Sequence, residues 1–123
     1  MATSAKLLIH PIRDVTIVNF QETSILDTAQ VEQIGEELYH LVDAKNCRKL
    51  ILDFTKVKFL SSSALGILIT LHKKSAGIKG KLVLCSLRPD LKKVFDITRL
   101  DKIFKFCANE EEALSIFGVT SGG

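Results

Sequence analysis

Three consecutive serines, Ser61, Ser62 and Ser63, stand between the apolar pair Phe59-Leu60 and the apolar run Ala64-Leu65-Gly66-Ile67-Leu68. A serine just before a helical pattern is a strong N-cap, because its hydroxyl accepts a bond from a free backbone N–H of the first turn. One cap uses one serine. The other hydroxyls would lie at a helix N-terminus beyond the carboxyl end of a strand, where open α/β sheets place their working residues. Added negative charge is welcome there, since the free N–H groups and the helix dipole favour an anion. A phosphate on one of these serines would gain about 0.3–1 kcal/mol from that field. The pattern therefore reads either as a plain cap or as a modification site that alters the surface and leaves the fold alone.

The rest of the chain offers little chemistry. His10, His40 and His72 are thirty or more residues apart, with no paired-histidine spacing and no cysteine beside them, so no metal site is expected. No glycine-rich phosphate loop and no Gly-x-Ser-x-Gly elbow occurs. Cys47, Cys85 and Cys107 are odd in number, far apart and set in or beside apolar runs, which suits small core side chains better than disulfides. No catalytic residue and no cofactor is expected; the chain reads as a non-enzyme.

The elements that must position the serines follow from periodicity. Lys6 to Ile12 is an apolar run broken by Pro11 and predicts an edge strand. Val15 to Phe20 predicts a second strand, and the short link between them requires an antiparallel hairpin. Asp27 or Thr28 caps a first helix, in which Val31, Ile34, Leu38, Leu41 and Val42 fall within an arc of roughly 120°. Lys49 to Phe54 is a third, central strand, followed by a turn and then a second helix from Ala64 to about Lys74. A fourth strand spans Lys81 to Cys85, a short helix starts at Pro89, and a fifth strand spans Ile103 to Cys107. Asn109 caps a last helix with Ala113, Leu114 and Phe117 inward, and residues 118–123 read as a flexible tail. Alternation of strand and helix from the third strand onward predicts parallel strands with right-handed crossovers. The fold class is thus α/β, with a five-stranded mixed sheet and about four helices.

In the second helix the apolar residues Ala64, Leu65, Ile67, Leu68, Ile69 and Leu71 span roughly 200°, where covering a sheet needs about 100° or somewhat more. Either the helix also packs on a neighbouring helix, or a flank near Ile67 or Ile69 is an exposed protein-binding strip.

Composition narrows the function classes. With 17 basic and 14 acidic residues the net charge is +3, and 46% of the 123 residues are hydrophobic, so one domain with one core is expected over residues 1–123. A charge of +3 is small and, along the chain, dispersed, so direct nucleic-acid binding is not expected. The N-terminus has no secretion pattern, and no stretch approaches the roughly 18 apolar residues of a membrane span. A cytoplasmic location without membrane insertion is the expectation.

In its order of motifs the chain resembles the STAS domain family, specifically the free-standing anti-sigma factor antagonists of bacterial partner-switching systems. That family runs from an apolar strand to Asp-Ser-Ser-Gly-Leu-Gly at the start of a helix. A Gly-Gly-x-Leu-x-Leu strand, a proline-initiated helix and a Thr-Gly-Leu-like turn follow. Here these read Leu50-Ile51-Leu52-Asp53-Phe54, Ser61-Ser62-Ser63-Ala64-Leu65-Gly66, Lys79-Gly80-Lys81-Leu82-Val83-Leu84, Arg88-Pro89 and Ile97-Thr98-Arg99-Leu100. Ile25-Leu26-Asp27-Thr28 resembles the family's start of the first helix. The resemblance covers about residues 6–117. Two positions depart from it: Ser61 replaces the family's Asp, and Ala64 its first Gly.

The resemblance implies helices packed largely on one side of the sheet. It implies an anti-sigma factor with serine kinase activity as partner, and a serine phosphatase that resets the switch. The family's phosphorylated serine falls on Ser62, with Ser61 and Ser63 as alternatives. The partner surface would comprise Thr23, Ser24 and Asp27, then Lys56 and Phe59, then Ser61, Ser63, Ala64, Leu65 and the flank at Ile67 and Ile69. The other role found in such families is a scaffold subunit of a signalling complex or a lipid transporter, with no phosphorylation cycle.

Overall fold

The computed structural model describes residues 7–119. Strands β1 (Leu7–Ile12) and β2 (Val15–Phe20) form the antiparallel hairpin, with Arg13 in the left-handed region at φ 57° closing the turn. Pro11 lies on β1, the edge strand, where its missing N–H costs no ladder bond. Lys6, where the first strand was expected to begin, lies outside the described residues. A two-residue strand β3 (Ser24–Ile25) leads to helix α1 (Thr28–Asp43), capped by Asp27, whose carboxylate accepts from the Gln30 N–H at 3.1 Å.

Next come β4 (Lys49–Asp53), a second two-residue strand β5 (Phe59–Leu60), and helix α2 (Ser62–Gly77). The chain continues through β6 (Lys81–Cys85), α3 (Pro89–Ile97), β7 (Lys105–Cys107) and α4 (Glu110–Ile116). The main sheet has the order β1-β2-β4-β6-β7, and every pairing after the hairpin is parallel. Helix α2 is longer at both ends than its apolar pattern indicated. The fifth strand starts two residues late, because a 3-10 turn at Leu100–Lys102 takes the Ile103 and Phe104 N–H groups onto the Leu100 carbonyl.

Helices α1, α2 and α3 cover one face of the sheet over a core containing Phe54, Leu71, Leu84 and Phe95. The other face carries Val15, Ile17, Ile51 and Val83 beneath α4, through Ala113 and Leu114. Val119 is buried in this second cluster and its N–H bonds the Leu114 carbonyl at 2.9 Å, so the expected tail packs through 119; residues 120–123 lie outside the described residues. Cys85 and Cys107 are buried there too, as expected of core side chains, and Cys47 is half-buried.

The wide apolar arc of α2 has its explanation in α1. A Cβ built on Gly35 of α1 would lie 2.7 Å from Ile67 Cδ1 of α2, so glycine lets the two helices meet without pushing aside the end of that side chain. Ile67 is therefore a helix–helix contact, half-buried and not held out to solvent. Ile69 is half-buried against the same core.

Candidate functional site

The two-residue strands assemble the site. β3 and β5 pair in parallel, Ser24 opposite Phe59 and Ile25 opposite Leu60. Around them the Thr23 carbonyl accepts from the Lys58 N–H at 2.8 Å, and the Ile25 carbonyl accepts from the Ser61 N–H at 3.0 Å. The loop after β2 is thereby stitched to the lead-in of α2, and residues about 35 positions apart share one surface at the strand exits.

Of the three serines, Ser61 takes the cap: its hydroxyl accepts from the Ala64 N–H at 3.1 Å, and its carbonyl accepts from the Leu65 N–H. Aspartate caps equally well, so the exchange of the family's Asp for Ser61 keeps the cap and removes only a charge. Ser62 and Ser63 are exposed, and their hydroxyls have no hydrogen-bond partner among the described residues. The first turn of α2 contains no acidic residue, so nothing on the helix repels an anion at that place.

Beside the serines stand two apolar side chains held out to solvent, Phe59 at 57% and Leu26 at 53% exposure. Leu26 was missing from the expected partner surface. Its signal was its place directly after a strand-forming pair and directly before the cap. Thr23, Asp27 and Lys56 are exposed around this patch, Asp27 with its carboxylate occupied as a cap and Lys56 donating to Gln21 at 3.1 Å. Ser24 and Leu65 are half-buried, and Ala64 is buried against the sheet. The structure thus brings Thr23, Ser24, Phe59 and the serines together, and turns Ala64 and Ile67 inward.

A second polar cluster at the same strand exits, on the α4 face, was not anticipated. Asn19, Asp53, Cys85 and Cys107 form one register row across β2, β4, β6 and β7. Asp53 is only 4% exposed, and its carboxylate accepts from the Thr55 N–H at 2.8 Å and from the Thr55 hydroxyl. Glu110, the first residue of α4, accepts from Asn19 Nδ2 at 2.8 Å. The hydrogen bond between the two carboxyl groups, together with burial, holds Glu110 above the usual carboxylate range. Burial pushes Asp53 up as well, but the bonds from Glu110 and Thr55 outweigh it and hold Asp53 below that range. The two carboxyls thus pull each other apart in acidity, Glu110 upward and Asp53 downward. Burial pushes the neighbouring Cys85 thiol up to about 12, which makes it inert as a nucleophile. Among the described residues no group of three potential ligands could hold a metal ion, and no helix is long and apolar enough to cross a membrane.

Comparison with known proteins agrees with this architecture. The STAS domain model matches residues 7–113. The protein BtrV of Bordetella bronchiseptica is 32% identical over 93 residues, covering 76% of this chain and 79% of its own. A solved anti-sigma-factor antagonist (STAS) domain protein from Planctomyces limnophilus superposes with a TM-score of 0.81 at 25% identity, over 93% of this chain and 98% of its own. SpoIIAA, a Bacillus cell fate determinant solved in its phosphorylated form, gives 0.69 at 20% identity, over 89% and 98% of the two chains. With a family model matched from the first strand into the last helix and these relatives beside it, the chain belongs to the STAS domain family.

Proposed function

We propose that this protein is an anti-sigma factor antagonist that binds an anti-sigma factor with serine kinase activity, in the cytoplasm, and is switched off by phosphorylation of Ser62. It is a kinase's substrate and not a catalyst, and a serine phosphatase resets it. The observation that carries the reading is the division of labour among the serines. Ser61 alone caps α2, which leaves the Ser62 hydroxyl exposed, without a partner, and at the edge of a surface bearing Phe59 and Leu26. SpoIIAA, whose fold this chain shares, has been solved in a phosphorylated form, which supports the reading by analogy.

The physics of the switch needs no backbone change. A neutral serine fits inside a protein interface at little cost. A phosphoserine carries about −1.5 to −2 charges at pH 7. On the free protein that charge is solvated and favoured by the α2 dipole. In the complex it is stripped of water opposite the partner's apolar or acidic surface, at a cost of roughly 2–5 kcal/mol. At about 1.4 kcal/mol per tenfold, the affinity falls by roughly thirtyfold or more.

The test is titration of purified variants against the serine-kinase anti-sigma factor of the same organism, with nucleotide present, and mass spectrometry after incubation with ATP. Ser62→Asp keeps or slightly raises thermal stability and loses most of the affinity, while Ser62→Ala binds and cannot be switched off. Phosphate only on Ser61 or Ser63 moves the switch by one residue. No phosphate at all, together with unchanged binding by Ser62→Asp, overturns the switch in favour of a scaffold subunit.

A further inference from the structure

The end of the sheet opposite the serines gathers positive charge. There the β1–β2 turn, the starts of β4 and β6, and the C-termini of α1, α2 and α3 come together. Arg13, Arg48, Lys79, Lys81, Arg99 and Lys102 are all exposed at this end, and none is in an ion pair among the described residues. Asp14, Asp43 and Asp96 are each held by a lysine, so among the described residues Asp101 is the carboxylate left to oppose them. A cleft of about 410 Å³ opens between the β1–β2 turn and the loop before β4, walled by Arg13, Lys45, Arg48 and the ion pair of Lys49 with Asp14. The +3 that looks dispersed along the chain is collected in space.

Stability does not account for this. Three helix C-termini supply roughly half a negative charge each, about one and a half in all, against six unpaired cations. The backbone points the same way. Arg13, Lys79 and Arg99 have φ of 57°, 60° and 64°, the left-handed region in which glycine is the unstrained residue. In three separate turns of one end, the chain carries a cation where the backbone favours glycine. At that same end two aliphatic side chains face solvent, Ile97 at 77% exposure on the last position of α3 and Ile103 at 41% just after Lys102. No aromatic side chain is among the exposed large hydrophobics here, so the patch offers no stacking platform for nucleic-acid bases.

We propose that this end is a peripheral docking surface for an anionic phospholipid bilayer, with the lysines and arginines among the lipid phosphates and Ile97 and Ile103 at the headgroup–acyl boundary. Aliphatic side chains set among cations are what such a surface recognises, and a bilayer accommodates charges spread over several turns without needing a complementary groove. The protein lies on the membrane and does not span it. The serine-bearing end then faces away from the lipid, so docking and partner binding use opposite ends. This inference stands independently of the kinase reading.

The experiment is co-sedimentation of the full chain with vesicles of equal parts phosphatidylglycerol and phosphatidylcholine, with pure phosphatidylcholine vesicles and a short DNA duplex as separate arms. The protein sediments with the anionic vesicles at low salt, is released as salt rises, and ignores pure phosphatidylcholine. The triple variant Arg13→Gly, Lys79→Gly, Arg99→Gly loses about a hundredfold in vesicle affinity, at roughly fivefold per cation. It melts no lower than the parent, because glycine suits those three backbone conformations. Ile97→Ser, at a side chain almost wholly in solvent, weakens binding several-fold with the fold intact. Sedimentation that the glycine variant or Ile97→Ser leaves unchanged overturns the proposal. So does retention of the DNA duplex with the vesicles unbound, or equal binding to both kinds of vesicle.

Discussion

Two polar clusters occupy the exit ends of the strands, one on each face of the sheet, and they carry charge in opposite ways. On the α2 side, Ser61, Ser62 and Ser63 are neutral and surround a helix N-terminus ready for a negative charge that is not there. On the α4 side, Asp53 and Glu110 are hydrogen-bonded to each other, and the site barely tolerates the charge it has. The first has free hydroxyls and no acidic residue in its helical turn. The second fixes its charge by burial, and its bonds hold α4 to β4. The two clusters differ in whether their polar atoms are already bonded: Ser62 and Ser63 are free where Asp53 and Glu110 are not.

The strongest way to break this contrast is to empty the structural cluster. Asp53→Ala leaves the Thr55 N–H, the Thr55 hydroxyl and Glu110 without their acceptor, at a cost of about 2–3 kcal/mol in urea unfolding. A loss below ~0.5 kcal/mol would mean that water replaces the carboxylate freely and that the cluster is no latch. Within the serine cluster, Ser61→Ala removes the α2 cap and costs about 1 kcal/mol, whereas Ser63→Ala leaves stability unchanged within error. Equal effects at the two positions would erase the division of labour on which the reading of Ser62 rests.

The smallest effect is the most diagnostic. Glu110 has its folded pKa raised above the ordinary 4.5, so its stabilising contribution is complete below that value and is lost as pH rises through the folded value. Asp53 has its folded pKa lowered below 3.8, so its contribution is complete above that value and is lost as pH falls through the folded one. The pair's contribution to stability is therefore largest in mildly acid solution and falls as pH rises through the folded value of Glu110. Glu110→Gln keeps a donor facing Asp53 at every pH and should flatten the upper limb. Melting temperatures of both proteins from about pH 4 to about pH 8 decide it, and parallel curves would mean that the two carboxyls do not act on each other's acidity.

The ease with which each part could be read from the sequence follows from how local its cause is. The strand β2, the cap at Asn109 and the proline start of α3 depend on residues within a turn of one another and stand where the pattern put them, while the structure chooses Asp27 over Thr28 for α1 and Ser61 among the three serines for α2. The pair of two-residue strands has no periodicity to show, yet it is what brings Thr23 and Ser24 beside Phe59. Asp53 and Glu110 are 57 positions apart and meet only through the register of the sheet and the return of α4. The width of the α2 apolar arc was visible, but its meaning waited on Gly35, a residue of another helix. The basic end was hidden in the same way. Its cations are spread from Arg13 to Lys102, and only the shared direction of the parallel strands collects them.

Gly35 and Ile67 meet where α1 and α2 approach each other. Ile67 lies five residues along α2 from Ser62, about 7.5 Å of helix, and between them the helix is a stiff rod. A methyl group at position 35 would meet first the Cδ1 end of that isoleucine, which can turn aside, and only a strain that this rotation leaves unrelieved would reach the rod. The missing side chain on the opposite helix thus leaves Ile67 its place between the two helices, out of reach of anything that binds the surface.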